Sequence, residues 1–192
     1  MASLSQKIDH DINHNSSTKS TMGEFMSLLM DSLANATPVL KLRIETPVKF
    51  SSGNQMEMGK GRLFRSQSYH EYHNYLKAQL DDIYDDLEFN PKDGCAYFLR
   101  TMFTYPIPKS YVTSKKAKLE FDSTKILPIT RSTIDLDNSE KGTNDVLQEV
   151  FGFDDSQIVS KESHKRYWLG DTYVLGIELY EMPSGVEIEF YE

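Results

Sequence analysis

The chain has 192 residues, 39% of them hydrophobic, with 10 Phe and 11 Tyr to build a core, a size that suits one domain better than two. It has no run of about 18 apolar residues and no basic-then-apolar start, which argues against a membrane span and a signal peptide and for a cytoplasmic protein. One cysteine, Cys95, excludes an internal disulfide and a cysteine-rich zinc site, and a net charge of -8 argues against a general phosphate-backbone binder.

In chain order, residues 1–20 are rich in Ser, Asn, Lys and His and read as disordered. Phe25, Met26, Leu29 and Leu33 are near helical spacing, so a short helix is expected over 22–35, within an N-terminal extension covering 1–37. Residues 38–192 then form the domain. Leu40, Leu42 and Ile44 alternate with polar residues as in a strand, and "SSGN" and "GKGR" mark a hairpin-like loop. Tyr69, Tyr72, Leu76, Leu80, Ile83 and Leu87 follow one helix face over 67–87. "GCAYFLRTMFTYP" (94–106) reads as a buried strand, with Cys95 as a small core residue. The Lys-rich, Pro-punctuated segment 107–130 reads as a long surface loop, a feature that is uncommon unless functional or disordered. A helix follows over "SEKGTNDVLQEVFG", carrying a Val146, Leu147, Val150, Phe151 stripe, with Asn138 or Ser139 able to cap it and Gly152 to end it. "SQIVSKESHKRYW", "DTYVLGIELYE" and "VEIEFYE" read as strands. The expected fold is α+β, a single domain with a mixed β-sheet packed by two main helices.

Charge is unevenly spread. Lys109, Lys115, Lys116, Lys118, Lys125 and Arg131 dominate residues 105–133, seven acids face one Lys over 134–159, and Lys161, Lys165 and Arg166 follow. An acidic centre flanked by basic segments suits a metal-dependent site acting on a phosphate substrate.

The acidic centre opens with "IDLDN" (134–138). Read as a strand end, its period of two puts Asp135 and Asp137 on one face, about 7 Å apart along the chain. Such a pair repels, and Asp is a poor strand former, so the pair needs a reason. Asp154 and Asp155 follow the next helix, and a strand–helix–strand return would bring Asp155 beside Asp135 and Asp137. Three carboxylates together need a cation, and Mg²⁺ takes oxygen ligands with phosphate completing its shell. That ion can activate water and offset charge on a phosphodiester. Lys141, placed in the first turn of the helix, opposes the helix dipole, so its place is not set by helix stability; it can reach the carboxylates or a substrate phosphate, and an ordinary surface Lys is the equal alternative. An EF-hand is excluded, because positions six and twelve counted from Asp135 are Glu140 and Val146. A D-x-D on its own is better explained by solvated turn and cap residues.

Other motifs carry less. His70 and His73 stand at i, i+3 without a matching ligand set. "HKRYW" (164–168) mixes cations and aromatics that suit base stacking, but a strand with Trp168 in the core is the simpler reading.

Taken together, "PIPKSYVTSKK" (106–116), "DLDN" with Lys141, "NDVLQEVFGFDDSQIVSK" (144–161) and "VLGIELYE" resemble, in order, the RusA family of Holliday-junction resolvases. The resemblance covers about residues 38–182. It implies a homodimer that uses Mg²⁺, with Mn²⁺ able to substitute, to cut paired strands of a four-way DNA junction in recombination, repair or phage DNA processing. It implies that Asp135, Asp137 and Asp155 hold the metal, that Lys141 supports catalysis with them, and that Lys109, Lys115, Lys116 and Lys118 touch DNA. The sequence departs from the family pattern at Ser139 and Glu140, in "DVL" (145–147), and in an acidic C-terminal extension. The alternative function is a non-catalytic accessory protein that keeps the fold and binds branched DNA.

Overall fold

In β1 (Leu40–Thr46), Leu40, Leu42, Ile44 and Thr46 are buried while Lys41, Arg43 and Glu45 are exposed, which makes the strand two-faced. This computed structural model describes residues 31, 33, 36–52, 54, 56–59, 61–130 and 133–182. Residues 36–183 are one compact unit, and the account below concerns that unit. Of the helix expected over 22–35 only Asp31 and Leu33 are described, and the strand expected over "VEIEFYE" lies outside the described residues.

The chain continues with a two-stranded hairpin, β2 (Met56–Gly59) and β3 (Arg62–Arg65), then α1 (Gln67–Tyr84) and β4 (Tyr97–Pro106). A 3-10 turn (Lys109–Tyr111) and the five-residue α2 (Lys115–Leu119) interrupt the long loop. Then come α3 (Leu136–Phe151), a second 3-10 turn (Asp155–Gln157), β5 (Ile158–Trp168) and β6 (Tyr173–Glu181). The main sheet has the order β1-β6-β4-β5, antiparallel except for the parallel β4–β5 pair that α3 connects. This is the mixed sheet with two main helices expected of the α+β class.

Both long helices cover one face of the sheet. Tyr69, Tyr72, Leu76 and Leu80 of α1, and Val146, Leu147 and Phe151 of α3, pack on Leu42, Leu99, Phe103, Leu175 and Ile177. The helices run side by side in the same direction. The start of α1 meets the middle of α3, where Tyr69 Oη donates to Asp145 Oδ2 at 2.9 Å, and at their ends the rings of Tyr84 and Phe151 lie 5.8 Å apart. Beside the first of these contacts, Tyr72 Oη and Thr143 Oγ1 are 2.9 Å apart. The Thr143 hydroxyl proton is already committed to Ser139 O at 3.0 Å, so Tyr72 is the donor. Tyr72→Phe is therefore expected to cost about 1 kcal/mol, because the Thr143 hydroxyl keeps one of its bonds. Urea unfolding should show the loss as a lower midpoint at unchanged slope.

Phe50, 1% exposed, ties the segment after β1 to this core through edge-on contacts with Tyr72, Phe103, Tyr105 and Tyr173 at 5.2–5.9 Å between ring centroids. The opposite face of the sheet carries ion pairs that use up their own charges: Lys41 with Glu178, Arg43 with Glu45, and Arg100 with both Glu162 and Glu178. The bond from His164, then that from Arg100, holds Glu162 below the usual carboxylate range. Such a face leaves little unpaired positive charge for a phosphate backbone.

Candidate active site

The register gathers one set of loops at one end of the sheet. Thr46 pairs with Tyr173, Thr104 with Val174, and Pro106 with Trp168. Among the described residues, the connections that follow β1, that follow β4 and that join β5 to β6 therefore lie at the end where α3 begins.

"IDLDN" is not a strand. Ile134 and Asp135 precede the helix, Asp135 is its N-cap residue in extended conformation (φ -64°, ψ 151°), and Asp137 is in its first turn. The strand expectation rested on a period of two over only a few residues. Asp and Asn favour helix starts, where the exposed N–H groups and the dipole attract negative charge, and that preference prevails here. Asp135 sits in the cap position, yet its carboxylate makes no capping hydrogen bond. Both acids are exposed. Lys141 is in the second turn rather than the first, since the helix starts at Leu136. It is four residues beyond Asp137, the spacing that shares a helix face.

Neighbouring elements hold this turn in place. Phe50 anchors the segment whose Ser52 Oγ donates to Asn138 Oδ1 at 3.1 Å. Asn54 Nδ2 donates to the same oxygen at 3.0 Å, and its Oδ1 accepts from Lys141 Nζ at 2.8 Å. One asparagine thus fixes both Asn138 and Lys141. From the sheet side, Lys165 Nζ donates to Ile134 O at 3.0 Å, pinning the residue before Asp135. Lys161 pairs with Glu140, which is almost fully buried. Tyr167, rather than the expected Trp168, is the core residue of "HKRYW", while Trp168 Nε1 donates to Thr172 O at 2.7 Å. Asn54, Ser52, Lys161 and Lys165 were absent from the expected site. Their only sequence signals were turn character in "SSGN" and positive charge in strand β5.

Asp155 is not brought to this cluster. α3 leads away from Asp135 for 16 residues, about 24 Å of helix, before Gly152 ends it at φ 74°. Asp155 lies beyond that end, in the 3-10 turn leading into β5, where Gln157 Nε2 bonds the carbonyls of Lys92 and Cys95. The expected return fails because the chain runs back through β5, not through the helix. Asp154 caps the turn, and hydrogen bonds from Ser156 hold its carboxyl below the usual range. Among the described residues no group of three or more His, Cys, Asp or Glu is placed to hold a metal. His73 pairs with Glu149 at 3.2 Å, and Cys95 is half-buried just before β4 rather than within its core.

The donor set left at the α3 start is two exposed carboxylates, the neutral oxygens of Asn138 and Asn54, and one ammonium. That set fits Mg²⁺, which is commonly held by one or two carboxylates with waters and substrate phosphate filling its octahedron. Lys109, Lys115, Lys116 and Lys118 are all exposed on the 107–133 loop, at the same end of the sheet. The loop is tied down by Ile107 N to Trp168 O at 3.0 Å and by Thr133 Oγ1 to Pro128 O at 2.8 Å.

No helix among the described residues is long and apolar enough to cross a membrane. No curated relative matches the chain. Residues 46–189, most of the chain and all of the α3 site, match the family described as Endodeoxyribonuclease RusA. The chain belongs to the RusA family of endodeoxyribonucleases.

Proposed function

We propose that the protein is a Mg²⁺-dependent, structure-selective endodeoxyribonuclease that resolves four-way DNA junctions as a homodimer, in recombination, repair or phage DNA processing inside the cell. The observation that carries this reading is the start of α3. There a family-typical D-x-D-N presents two uncapped carboxylates, and Lys141 on the same helix is held by Asn54.

In this reading Asp135 and Asp137 hold the ion. When bound, the ion supplies Lewis acidity that makes water a better nucleophile and offsets charge on the phosphate. The helix end favours negative charge at both carboxylates, and both are exposed. Lys141, its Nζ already placed by Asn54, meets the charge that grows on the phosphate oxygens. Lys109, Lys115, Lys116 and Lys118 take the flanking phosphates. Two such sites related by the dimer axis suit paired cuts in a symmetrical junction.

Asn54 is a positioning residue here. Asn54→Ala is expected to slow cleavage about tenfold with little change in junction affinity. A broader dependence of rate on salt should accompany the loss, because an untethered Lys141 is screened more readily. Equal rates for the variant and the wild type would remove Asn54 from the mechanism.

The direct test is cleavage of a labelled synthetic four-way junction against linear duplex of the same sequence, with and without Mg²⁺. Paired cuts in the junction alone, lost on chelation, are the expected result. Tight junction binding without cuts would move the protein to the accessory class, and no preference for the junction would remove the reading.

A further inference from the structure

The β2–β3 hairpin does not belong to the core. Among its described residues, Met56 is 48% exposed, Met58 80%, Leu63 62% and Phe64 48%. Met58 pairs with Leu63 across the ribbon and Met56 shares their face, while Phe64, paired with Glu57, is on the other face. Apolar side chains therefore project from both sides. An isolated two-stranded ribbon is marginally stable in water, and exposing four large apolar side chains does nothing to improve that. An exposed apolar cluster on a soluble protein marks a surface that meets something else.

The two feet of the hairpin show where it acts. On the incoming side stands Asn54, bonded to Asn138 and Lys141 of α3. On the outgoing side Arg65 Nη1 pairs with Asp145 Oδ2 at 3.1 Å, and its guanidinium lies 4.4 Å from the Tyr69 ring centroid. Ser66 then caps α1, accepting from Tyr69 N at 3.2 Å. The ribbon thus stands along α3 between Asn138 and Asp145, close to the helix start that carries Asp135 and Asp137. Its sequence carries Lys60, Arg62 and Arg65 against Glu57 as the one acid, and its turn has Gly61 at φ 73°. Basic residues interleaved with apolar ones complement a phosphate backbone whose bases are accessible. A flat, dry subunit contact would call for one apolar face, not two with cations between them.

We propose that this hairpin is a wedge that enters the branch point of the DNA, with Met58, Leu63 and Phe64 against the bases there and Arg62 on the adjoining phosphates. The inference rests on the nuclease reading and adds the feature that tells a junction from a duplex. Apolar side chains set between base steps pay an unstacking cost, and that cost is smallest where pairing and stacking are already interrupted. A branch point offers such a step and uniform duplex does not. The wedge would also set the distance from the branch point to the α3 carboxylates, and so the position of the cut.

The test uses full-length protein, Ca²⁺ in place of Mg²⁺, and a four-way junction carrying 2-aminopurine at the branch point. Wild type is expected to raise the fluorescence by unstacking that base. The triple variant Met58→Ser, Leu63→Ser, Phe64→Ser changes only exposed side chains. It should lose the rise and about tenfold or more in junction affinity, while binding linear duplex as before. An unchanged fluorescence rise in the variant would overturn the wedge. So would a variant that changes from dimer to monomer in light scattering, since the hairpin would then be a subunit contact. A wild-type protein with no preference for the junction over duplex would instead overturn the nuclease reading beneath it.

Discussion

Asp137→Asn is expected to bind a four-way junction at least as tightly as wild type and to cut it about a hundredfold to a thousandfold more slowly, the range seen when one electrostatic partner of a transition state is removed. The substitution keeps the shape of the side chain and removes its charge. Asp137 is exposed in the first turn of α3 and makes no capping bond, so folding loses only its interaction with the helix dipole, about 0.3–1 kcal/mol. Binding should not suffer, because a carboxylate beside a phosphate repels it in the absence of a cation. The two effects therefore separate: affinity holds and rate collapses. Asp135→Asn is the natural companion, since Asn serves as well as Asp in the cap position and leaves the helix start intact. Cleavage at the wild-type rate by either variant would mean that the D-x-D pair is only a helix start, and the chemistry would have to be sought elsewhere on the molecule.

Most of the fold is legible in the sequence where one face is buried. The alternation of Leu40, Leu42 and Ile44 marks β1, and Tyr69, Tyr72, Leu76 and Leu80 mark the buried stripe of α1. Gly152 marks the end of α3 because only a residue tolerant of positive φ fits there. The misreading of "IDLDN" has a simple cause. An alternation five residues long is too short to outweigh the preference of Asp and Asn for helix starts. The placement of Asp155 beside Asp135 ignored a length that the sequence did contain, since a helix of four turns or more carries the chain away before any return. What lay beyond reach was the support of the site. Ser52 and Asn54 meet Asn138 and Lys141 across 84–87 residues of chain, and no local pattern announces such a pairing.

If the Asp155 of a second copy completes the carboxylate pair in the proposed homodimer, mixing Asp137→Asn with Asp155→Asn restores cleavage that neither variant shows alone. Within one chain the two aspartates cannot share an ion, whose ligands stand about 2 Å from it. The 14 residues of α3 that follow Asp137, of its 16, carry the chain about 21 Å away from it. The return path gives a similar distance: from Ile158, next to the Asp155 turn, to Lys165, bonded to Ile134, is seven steps along β5, about 23 Å. If Asp155 joins the carboxylate pair, it does so from a second copy, and the homodimer proposed above becomes part of the site itself. Each homodimer of a single variant then has two defective sites. In a mixed dimer one site carries both substitutions and the other carries neither. Random exchange makes about half of the dimers mixed, each with one working site, so about a quarter of wild-type activity should return. The product should be single nicks rather than paired cuts, a signature that simple contamination with wild type would not give. An Asp155→Asn protein as active as wild type would leave Asp155 as a turn residue between α3 and β5. Two inactive variants that fail to complement would mean that one chain brings both aspartates together, which requires α3 to leave the position it holds against α1.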